Sequence, residues 1–406
     1  MKSYDALVVG AGPAGATAAL MLARAGWSVA LVEKAPFPRR KVCGEFMSAT
    51  SLPLLRQLGI ADAYLAHAGP PVRQVGLYAG KTMLAAAMPR PRDGAPEYGR
   101  ALGREHFDTL LMNAAATAGA DLWQPWRLSE VVQAAGGFAS TAVAQDRRTT
   151  IKLQARIVVA AHGSWETGRL PTHVAGAPPR GSDLFAFKAH FFNCSLPAGL
   201  MPLLVFPGGY GGMVHGDAGR VSLSCCVRRD KLAECRRRWP NTPAAEAVIA
   251  HIRASCRGVE LALADATRDA AWLAAGPIRP GIRLSRRDGI LPVGNAAGEA
   301  HPIVAEGISM AIQSSWLLCE RLIARQDEIR AGRGMAALAD DYAASWRENF
   351  ARRVRVAQVF ANLATRPAAA RTIAALLRFA PSLLTFGAHL SGKAQSLTPL
   401  RHSGHV

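Results

Sequence analysis

Three glycines near the start of the chain have a spacing suited to holding a phosphate. Gly10, Gly12 and Gly15 follow the short apolar run 6–9 and open a segment, 16–26, whose composition favours a helix. In a strand, turn and helix of this kind, the glycines let the backbone approach a pyrophosphate, which lies against the amides at the helix N-terminus. The pattern predicts a dinucleotide site formed by the residues of this turn: Gly10, Gly12, Pro13, Ala14 and Gly15.

Glu33 restricts which dinucleotide the predicted site can hold. It lies 18 residues after Gly15, at the end of a second predicted strand over 28–32. A carboxylate there accepts a hydrogen bond from a ribose 2′-hydroxyl and repels a 2′-phosphate. The expected ligand is therefore FAD or NAD, and NADP is disfavoured.

Four further segments carry a resemblance to one group of flavoproteins. They are Arg39–Glu45 (RRKVCGE), Arg104–Asp108 (REHFD), Leu291–Pro302 (LPVGNAAGEAHP) and Ala305–Ile308 (AEGI). The chain resembles the superfamily of geranylgeranyl reductases, flavin halogenases and aromatic-ring hydroxylases, and its last segment is typical of the reductase branch. The resemblance implies FAD as the cofactor. It also implies contact with FAD by further residues: Lys34, Arg40, Lys41, Cys43, Gly44, Arg104, Gly294, Asn295, Pro302, Glu306, Gly307 and Ile308.

The chain departs from the superfamily pattern at two positions. Asn295 stands where the family has the aspartate of a Gly-Asp pair. The asparagine side chain can still accept a hydrogen bond from a ribityl hydroxyl, but it lacks the negative charge of the aspartate. His162 stands where the hydroxylases carry an aspartate linked to FAD and nicotinamide binding, so NAD(P)H stays open as a transient electron donor. The W-x-W-x-I-P stretch of the halogenases is missing, since the nearest tryptophans are Trp123 and Trp126.

Two side chains are candidates for catalysis beside the flavin. His301 precedes a proline and belongs to a residue type that titrates near neutral pH, although a lone histidine is often structural. Cys43 would modulate the flavin or the substrate, with inert packing as the alternative. Phe206 and Tyr210 partly match an aromatic stretch of the reductases and are expected to line the substrate cavity, with a core or turn role as the alternative. For Glu306, capping of its helix is the alternative to cofactor binding.

The predicted elements indicate an α/β fold in which a discontinuous Rossmann-type FAD-binding domain is interrupted by a second domain. Short apolar runs separated by glycine turns over 180–230 predict an antiparallel sheet in this insertion. The segment 151–161 predicts a pair of strands. The expected division is an FAD-binding domain over 1–75, 100–165 and 285–330, a substrate domain over 76–99 and 166–284, and a C-terminal helical region over 331–406.

Composition and charge exclude several classes of protein. The chain has 406 residues and seven cysteines without paired C-x-x-C spacing, which argues for a reducing compartment and against a metal site. Its net charge of +19 comes from 48 basic and 29 acidic residues, yet no run of Lys or Arg exceeds three, so nucleic acid is not an expected partner. The uncharged stretch 6–23 contains the glycine turn and cannot form a spanning helix. We therefore expect a cytoplasmic protein.

The C-terminal segment 349–406 has eight basic residues and no Asp or Glu. Apolar side chains along 371–379 lie on one helical face, Pro381 interrupts the helix, and more apolar residues follow. Such a segment is typical of peripheral contact with an anionic membrane, with packing of the apolar face on the protein as the alternative.

These observations lead to an expected function. The chain is expected to be an FAD-dependent oxidoreductase that transfers hydride to a C=C bond of a lipophilic small molecule, as the reductase branch does. The alternative is a monooxygenase that hydroxylates an aromatic or polyketide substrate through a C4a-hydroperoxide. A remote alternative is a non-catalytic carrier of prenyl or lipid groups, since GDP-dissociation inhibitors share the general fold.

Overall fold

The computed structural model describes residues 2–90, 98–164, 170, 172, 178–284, 289–393 and 397. Its strands are β1 Lys2–Val9, β2 Val29–Val32, β3 Phe46–Met47, β4 Gln74–Ala79, β5 Thr82–Ala87, β6 Arg100–Ala101, β7 Asp121–Trp123, β8 Trp126–Ala134, β9 Gly137–Ala144, β10 Thr150–Ala160, β11 Leu184–Phe192, β12 Leu200–Phe206, β13 Gly209–His215, β14 Val221–Arg228, β15 Thr267–Arg268, β16 Leu273–Ile278, β17 Gly281–Ile282, β18 Ile290–Pro292 and β19 Gly298–Glu299. Its α-helices are α1 Pro13–Arg24, α2 Leu52–Gln57, α3 Ala61–His67, α4 Arg104–Thr117, α5 Arg229–Arg238, α6 Ala244–Ser255, α7 Arg257–Ala262, α8 Gly307–Ala324, α9 Gln326–Arg330, α10 Met335–Ala364, α11 Pro367–Phe379 and α12 Ser382–Ala388.

The first sheet has the N-terminal strand near its centre. Its order is β7-β2-β1-β10-β9-β8, with β18 also paired to β10, and β7, β2, β1, β10 and β18 run parallel. Ala6 and Val8 pack with α1, α4 and α8, whereas Leu7 and Val9 pack with β8 and β9. Burial on both faces explains why Ala6–Val9 of β1 and Ile157–Ala160 of β10 are apolar. The carboxyl ends of these parallel strands share one edge, where ligands bind in such sheets.

The second sheet has the order β15-β11-β14-β13-β12-β4-β5, with β16 also paired to β11. One of its faces is covered by α6 and α7, where Phe206, Ile252 and Val259 pack together. Its other face carries Val205 and Tyr210, which pack with residues of α10 and α11. One face of this sheet therefore packs on a hydrophobic core with α6 and α7, and its other face borders the space beneath the C-terminal helices.

The expected α/β class and the C-terminal helices are confirmed. Most neighbours in the second sheet are antiparallel, as expected over 180–230, but β12 pairs in parallel with β4. The prediction of a strand pair over 151–161 is wrong. Thr150–Ala160 form one strand because they pair with β1 on one side and with β9 and then β18 on the other, and no Gly, Pro, Asn or Asp turns the chain there. The domain boundaries stay a prediction, and 285–288 lie outside the described residues.

The C-terminal helices lie over the second sheet. α10 packs on α8 and on the short turn Pro302–Val304, while α11 and α12 pack on β4 and β5. α11 and the segment Ser382–Lys393 meet at a bend of 118°. Among the described residues no single helix has the length and apolar composition of a membrane span, although this bent pair reaches that threshold together.

Candidate active site

Two positions accept only glycine, one in the turn between β1 and α1 and one in the first turn of α1. Gly10 has a φ of +102°, and a Cβ there would lie 2.7 Å from the Ala161 carbonyl oxygen. A Cβ on Gly15 would lie 1.7 Å from the Gly10 carbonyl oxygen, so this residue lets α1 pack tightly on the turn. Gly12 borders open space, where the nearest atom to a Cβ would be Arg104 Nη2 at 3.8 Å. This shape suits the close approach of a ligand phosphate.

Glu33 follows β2 and is buried against the glycine turn. Its Oε2 accepts a hydrogen bond from the Ala11 amide, and its Oε1 accepts one from the Ala35 amide, both at 2.9 Å. Arg39 Nη2 lies 3.3 Å from Oε2. Each carboxylate oxygen has two lone pairs, so Glu33 can also accept a hydrogen bond from a ribose hydroxyl at the cavity wall.

A cavity of about 1200 Å³ starts at this turn and extends between the two sheets to the C-terminal helices. Pockets for one small ligand usually measure about 300–1,000 Å³, so this one has room for a cofactor and a substrate. Most of the predicted site residues line it: Gly10, Gly12, Pro13, Ala14, Glu33, Lys34, Arg40, Lys41, Cys43, Gly44, Arg104, Tyr210, Gly294, Asn295, His301, Pro302, Gly307 and Ile308. Gly15, Phe206 and Glu306 are not among its lining residues.

Phe206 does not line the cavity, contrary to the expectation for it. Successive residues of a strand point to opposite faces, so Val205 lines the cavity while the Phe206 ring lies behind the sheet, with its centroid 6.0 Å from that of His251. Tyr210 pairs with Val205 between β12 and β13 and shares its cavity face. The alternation along β12 was the signal that distinguishes the two aromatic residues.

Glu306 occupies the N-cap position of α8, but its side chain forms no capping hydrogen bond and does not line the cavity, so both interpretations of this residue need correction. Its buried carboxylate forms an ion pair with Lys393 Nζ at 3.0 Å and accepts a hydrogen bond from Ser48 Oγ at 3.2 Å. Glu306 thereby ties Lys393 of the C-terminal region to the start of α8. The first two residues of α8 do line the cavity, which places the positive end of this helix at the cavity wall.

Cys43 and Arg104 lie together at the cavity wall. Arg104 donates two hydrogen bonds to Asp108, 2.6 and 2.7 Å long, and its charge interacts with the Cys43 thiol. The thiol sulfur also accepts a hydrogen bond from the Glu45 amide at 3.3 Å. All seven cysteines of the chain are free thiols. These contacts fix the orientation of Cys43, and its role in catalysis stays a prediction.

A buried ionic cluster lies beneath the loop that follows β2, and sequence reasoning did not single it out. The Glu45 carboxylate contacts Lys188 Nζ and His190 Nε2, the latter at 2.6 Å, and accepts a hydrogen bond from the Arg104 amide at 3.1 Å. Arg40 contacts the other ring nitrogen of His190. Burial raises the pKa of Glu45, but the hydrogen bond from His190 and the charge of Lys188 outweigh it and hold this pKa at about 2. The cluster fastens the loop to β11.

The signal for this cluster was present in the sequence of β11. Lys188 and His190 interrupt an otherwise apolar strand, LFAFKAHFF, two positions apart, which places both on one face. A buried lysine needs a partner of opposite charge. The partner, Glu45, is 143 residues away from Lys188 and became evident only in the fold.

His301 lies between Tyr210 and Gln358. Its Nδ1 is 3.2 Å from the Tyr210 hydroxyl and its Nε2 is 3.0 Å from Gln358 Oε1. Because Gln358 Nε2 donates to Asn362, Oε1 is the atom facing His301, so His301 carries its proton on Nε2 and accepts from Tyr210 at Nδ1. Burial lowers the pKa of His301, and burial with the nearby Cys226 raises the pKa of Tyr210 well above its usual value. Both side chains are therefore neutral at neutral pH.

The two positions that depart from the superfamily pattern also line the cavity. Asn295 Nδ2 donates to Glu299 Oε1 at 3.0 Å, and His162 Nε2 lies 2.7 Å from Thr172 Oγ1. NAD(P)H as the electron donor stays a prediction. Within the described ranges, no three His, Cys, Asp or Glu side chains are grouped as metal ligands.

Known proteins match this chain, some along most of its length and others over part of it. A family model for FAD-binding domains matches residues 3–357. Menaquinone reductase of Mycolicibacterium smegmatis is 26% identical over 96% of this chain and 91% of that protein. Digeranylgeranylglycerophospholipid reductase of Picrophilus torridus is 30% identical over 40% of this chain and 39% of that protein. The structure of the myxobacterial chondrochloren halogenase CndH matches with a TM-score of 0.77 and 20% identity over 95% of this chain and 98% of that one.

The residues at the cavity fit FAD. A Cβ would fill the space that the glycine turn leaves for a phosphate, and the Glu33 carboxylate lies next to that turn. The positive end of α8 lies at the wall of the same cavity, where it favours the negative charge of a reduced flavin. With the family match over residues 3–357, these features show that the chain belongs to the FAD-binding domain family and is an FAD-dependent oxidoreductase.

Proposed function

We propose that this oxidoreductase reduces a carbon–carbon double bond in a lipophilic substrate. The observation that supports this most strongly is the apolar extension of the cavity, away from the glycine turn. It is lined by aliphatic side chains of the last helices: Ile373, Leu376, Leu377, Leu383 and Leu384. Such walls suit a hydrocarbon chain, because its binding removes apolar surface from water.

The names of two relatives support the same class of substrate. One is a menaquinone reductase and the other a digeranylgeranylglycerophospholipid reductase. Both names describe reduction of a lipophilic compound. The 26% identity to the first extends over nearly the whole chain, including the C-terminal helices that form the apolar extension.

Tyr210 is the proposed proton donor for this reduction. FAD held at the glycine turn and reduced by an electron donor would supply a hydride to one carbon of the double bond, and the other carbon would then need a proton. Burial keeps the Tyr210 hydroxyl protonated across the neutral range, and its O–H can rotate from His301 Nδ1 toward a substrate in the cavity. His301 orients the hydroxyl, and the hydrogen bond to Gln358, which is exposed, leads from the cavity toward solvent. The proton is replaced from solvent when the product leaves the cavity, because neutral His301 carries no proton on the ring nitrogen that faces Tyr210.

The proposal is tested with flavin-loaded protein, a geranylgeranyl lipid and a chemical reductant without oxygen. We expect the product to gain two hydrogens per reduced double bond, both of them deuterium when the solvent is D2O, because the N–H hydrogens of a chemically reduced flavin exchange with solvent. Tyr210→Phe should lower the rate by about 10²–10⁴-fold, as for other general acids, with flavin content unchanged. Tyr78→Phe is the matched control, since Tyr78 is buried in the same sheet and does not line the cavity.

Two results would overturn this assignment. Incorporation of ¹⁸O from labelled oxygen into the product would identify a monooxygenase. If protein with reduced flavin binds the lipid and releases it unchanged, the protein would be identified as a carrier. We also propose NAD(P)H as the transient electron donor, which predicts that anaerobic NADPH or NADH bleaches the flavin band, whereas a band that persists with substrate present would exclude both.

A further inference from the structure

We propose that the bend between α11 and α12 docks on an anionic membrane and that the lipophilic substrate enters the cavity there. The docking stands on surface features alone, whereas the entry of substrate rests on the proposed function. The surface comprises four large apolar side chains around the bend, here called the bend patch: Leu376, Phe379, Leu383 and Phe386.

The bend patch is unusually exposed for its composition. Phe379, directly before the bend, is 90% exposed, and Leu376 and Phe386 are each more than half exposed. Single exposed apolar residues are common on protein surfaces, whereas four large ones on both sides of the same bend indicate an interaction surface. Phe379 does not line the cavity, so a role in the wall of the substrate site does not explain why an apolar side chain is found there.

The charge around the bend patch selects its partner. The segment 349–393 has seven basic residues and no Asp or Glu. Arg371 and Arg378 are exposed and seven residues apart on α11, which places them on one side of the helix, next to Phe379. An apolar ridge beside arginines matches a bilayer with anionic headgroups. A second copy of this chain would bring its own net charge of +19 and be repelled.

The bend patch is continuous with the cavity. Leu376, Leu383 and Phe386 are exposed and also line the cavity, so they form part of its rim. α11 and α12 pack on β4 and β5, which holds them against the protein and leaves the patch to lie in the membrane surface. A hydrocarbon chain can pass from a bilayer into the cavity along this rim without crossing water.

Docking is tested by flotation of the flavin-loaded protein with vesicles of phosphatidylcholine, alone or mixed with phosphatidylglycerol. We expect binding to the mixed vesicles that weakens with added salt. Phe379→Asp should lower partitioning about tenfold or more, because a buried Phe contributes at least that much. Val132→Asp, at an exposed apolar residue of β8 in the first sheet, is the matched control and should leave binding unchanged. Circular dichroism checks that both variants fold.

Three results would overturn the docking. These are no flotation with mixed vesicles, equal weakening by Val132→Asp, or a dimer in sedimentation that Phe379→Asp dissociates. Entry is tested by turnover with substrate in vesicles and in detergent. We expect Phe379→Asp to lose activity only with vesicles, and full vesicle activity in this variant would refute entry through the patch. Absence of turnover by the unmodified protein in both media would refute the proposed function instead and leave the flotation result standing.

Discussion

Replacing Glu45 by Gln tests how strongly the ionic cluster holds the loop at the cavity. Lys188 is fully buried, and the variant leaves its ammonium without a carboxylate. Removing one partner of a buried ion pair costs about 3–5 kcal/mol. The pKa of Glu45, lowered from 4.5 to about 2, corresponds to about 3 kcal/mol of stability at neutral pH. Both figures describe the same ion pair, which therefore contributes a large part of the roughly 5–15 kcal/mol of a typical domain.

The free energy of unfolding is measured by guanidinium titration with a fixed excess of FAD, because bound cofactor stabilises the folded state. Glu260→Gln is the matched control, since Glu260 pairs with Arg257 at 2.8 Å but both side chains are about half exposed. That variant should cost less than about 1 kcal/mol. The added substitution Lys188→Met should recover part of the loss, because it removes the unpaired buried cation.

The pH dependence of stability has a definite sign. The Glu45 carboxylate is stabilised in the folded state, so its contribution is complete above about pH 4.5 and is lost as the pH falls toward about 2. Glu45→Gln should remove this part of the acid sensitivity. If Glu45→Gln and Glu260→Gln destabilise the protein equally, or if Lys188→Met recovers nothing, the account of the cluster is refuted.

Three further predictions follow from the site. Gly15→Ala should prevent folding or flavin binding, because its Cβ would overlap the Gly10 carbonyl oxygen; a folded, flavin-loaded variant would contradict this. Gly12→Ala has room for a Cβ and should fold, but with weaker FAD affinity in a fluorescence titration; unchanged affinity would show that no phosphate lies there. Burial lowers the pKa of His301, so as the pH decreases the imidazole takes up a proton in the unfolded state before it does so in the folded state. The melting temperature should therefore fall as the pH decreases below about 6.5, and should fall less in His301→Gln. Equal dependence of the melting temperature on pH in both proteins would contradict a neutral His301.

Local spacing predicted the parts of the site that depend on neighbouring residues. The glycine turn, the position of Glu33 and the start of α8 each follow from a strand, turn and helix within about thirty residues. Period-two alternation would also have separated Phe206 from Tyr210. Tyr210 pairs with Val205 in the hairpin of β12 and β13, and Val205 and Phe206 must point to opposite faces of β12.

Contacts between distant segments could not be predicted in the same way. His301 meets Tyr210 across 91 positions, and Glu306 meets Lys393 across 87. Each pair depends on how the two sheets and the C-terminal helices pack, and one sequence has no pattern that records that packing. Glu306 shows the consequence. Its place before α8 favoured a cap or a cofactor ligand, and its carboxylate instead binds Lys393, 87 residues further along the chain.

Single turnover of reduced protein without oxygen tests the central claim most directly. Protein with reduced FAD is mixed with a geranylgeranyl lipid, and flavin absorption and product mass are followed together. We expect the oxidised flavin band to return and one double bond to be reduced for each flavin reoxidised. A flavin that stays reduced until ¹⁸O-labelled oxygen is admitted, with a product that then carries ¹⁸O, would contradict the proposed reduction.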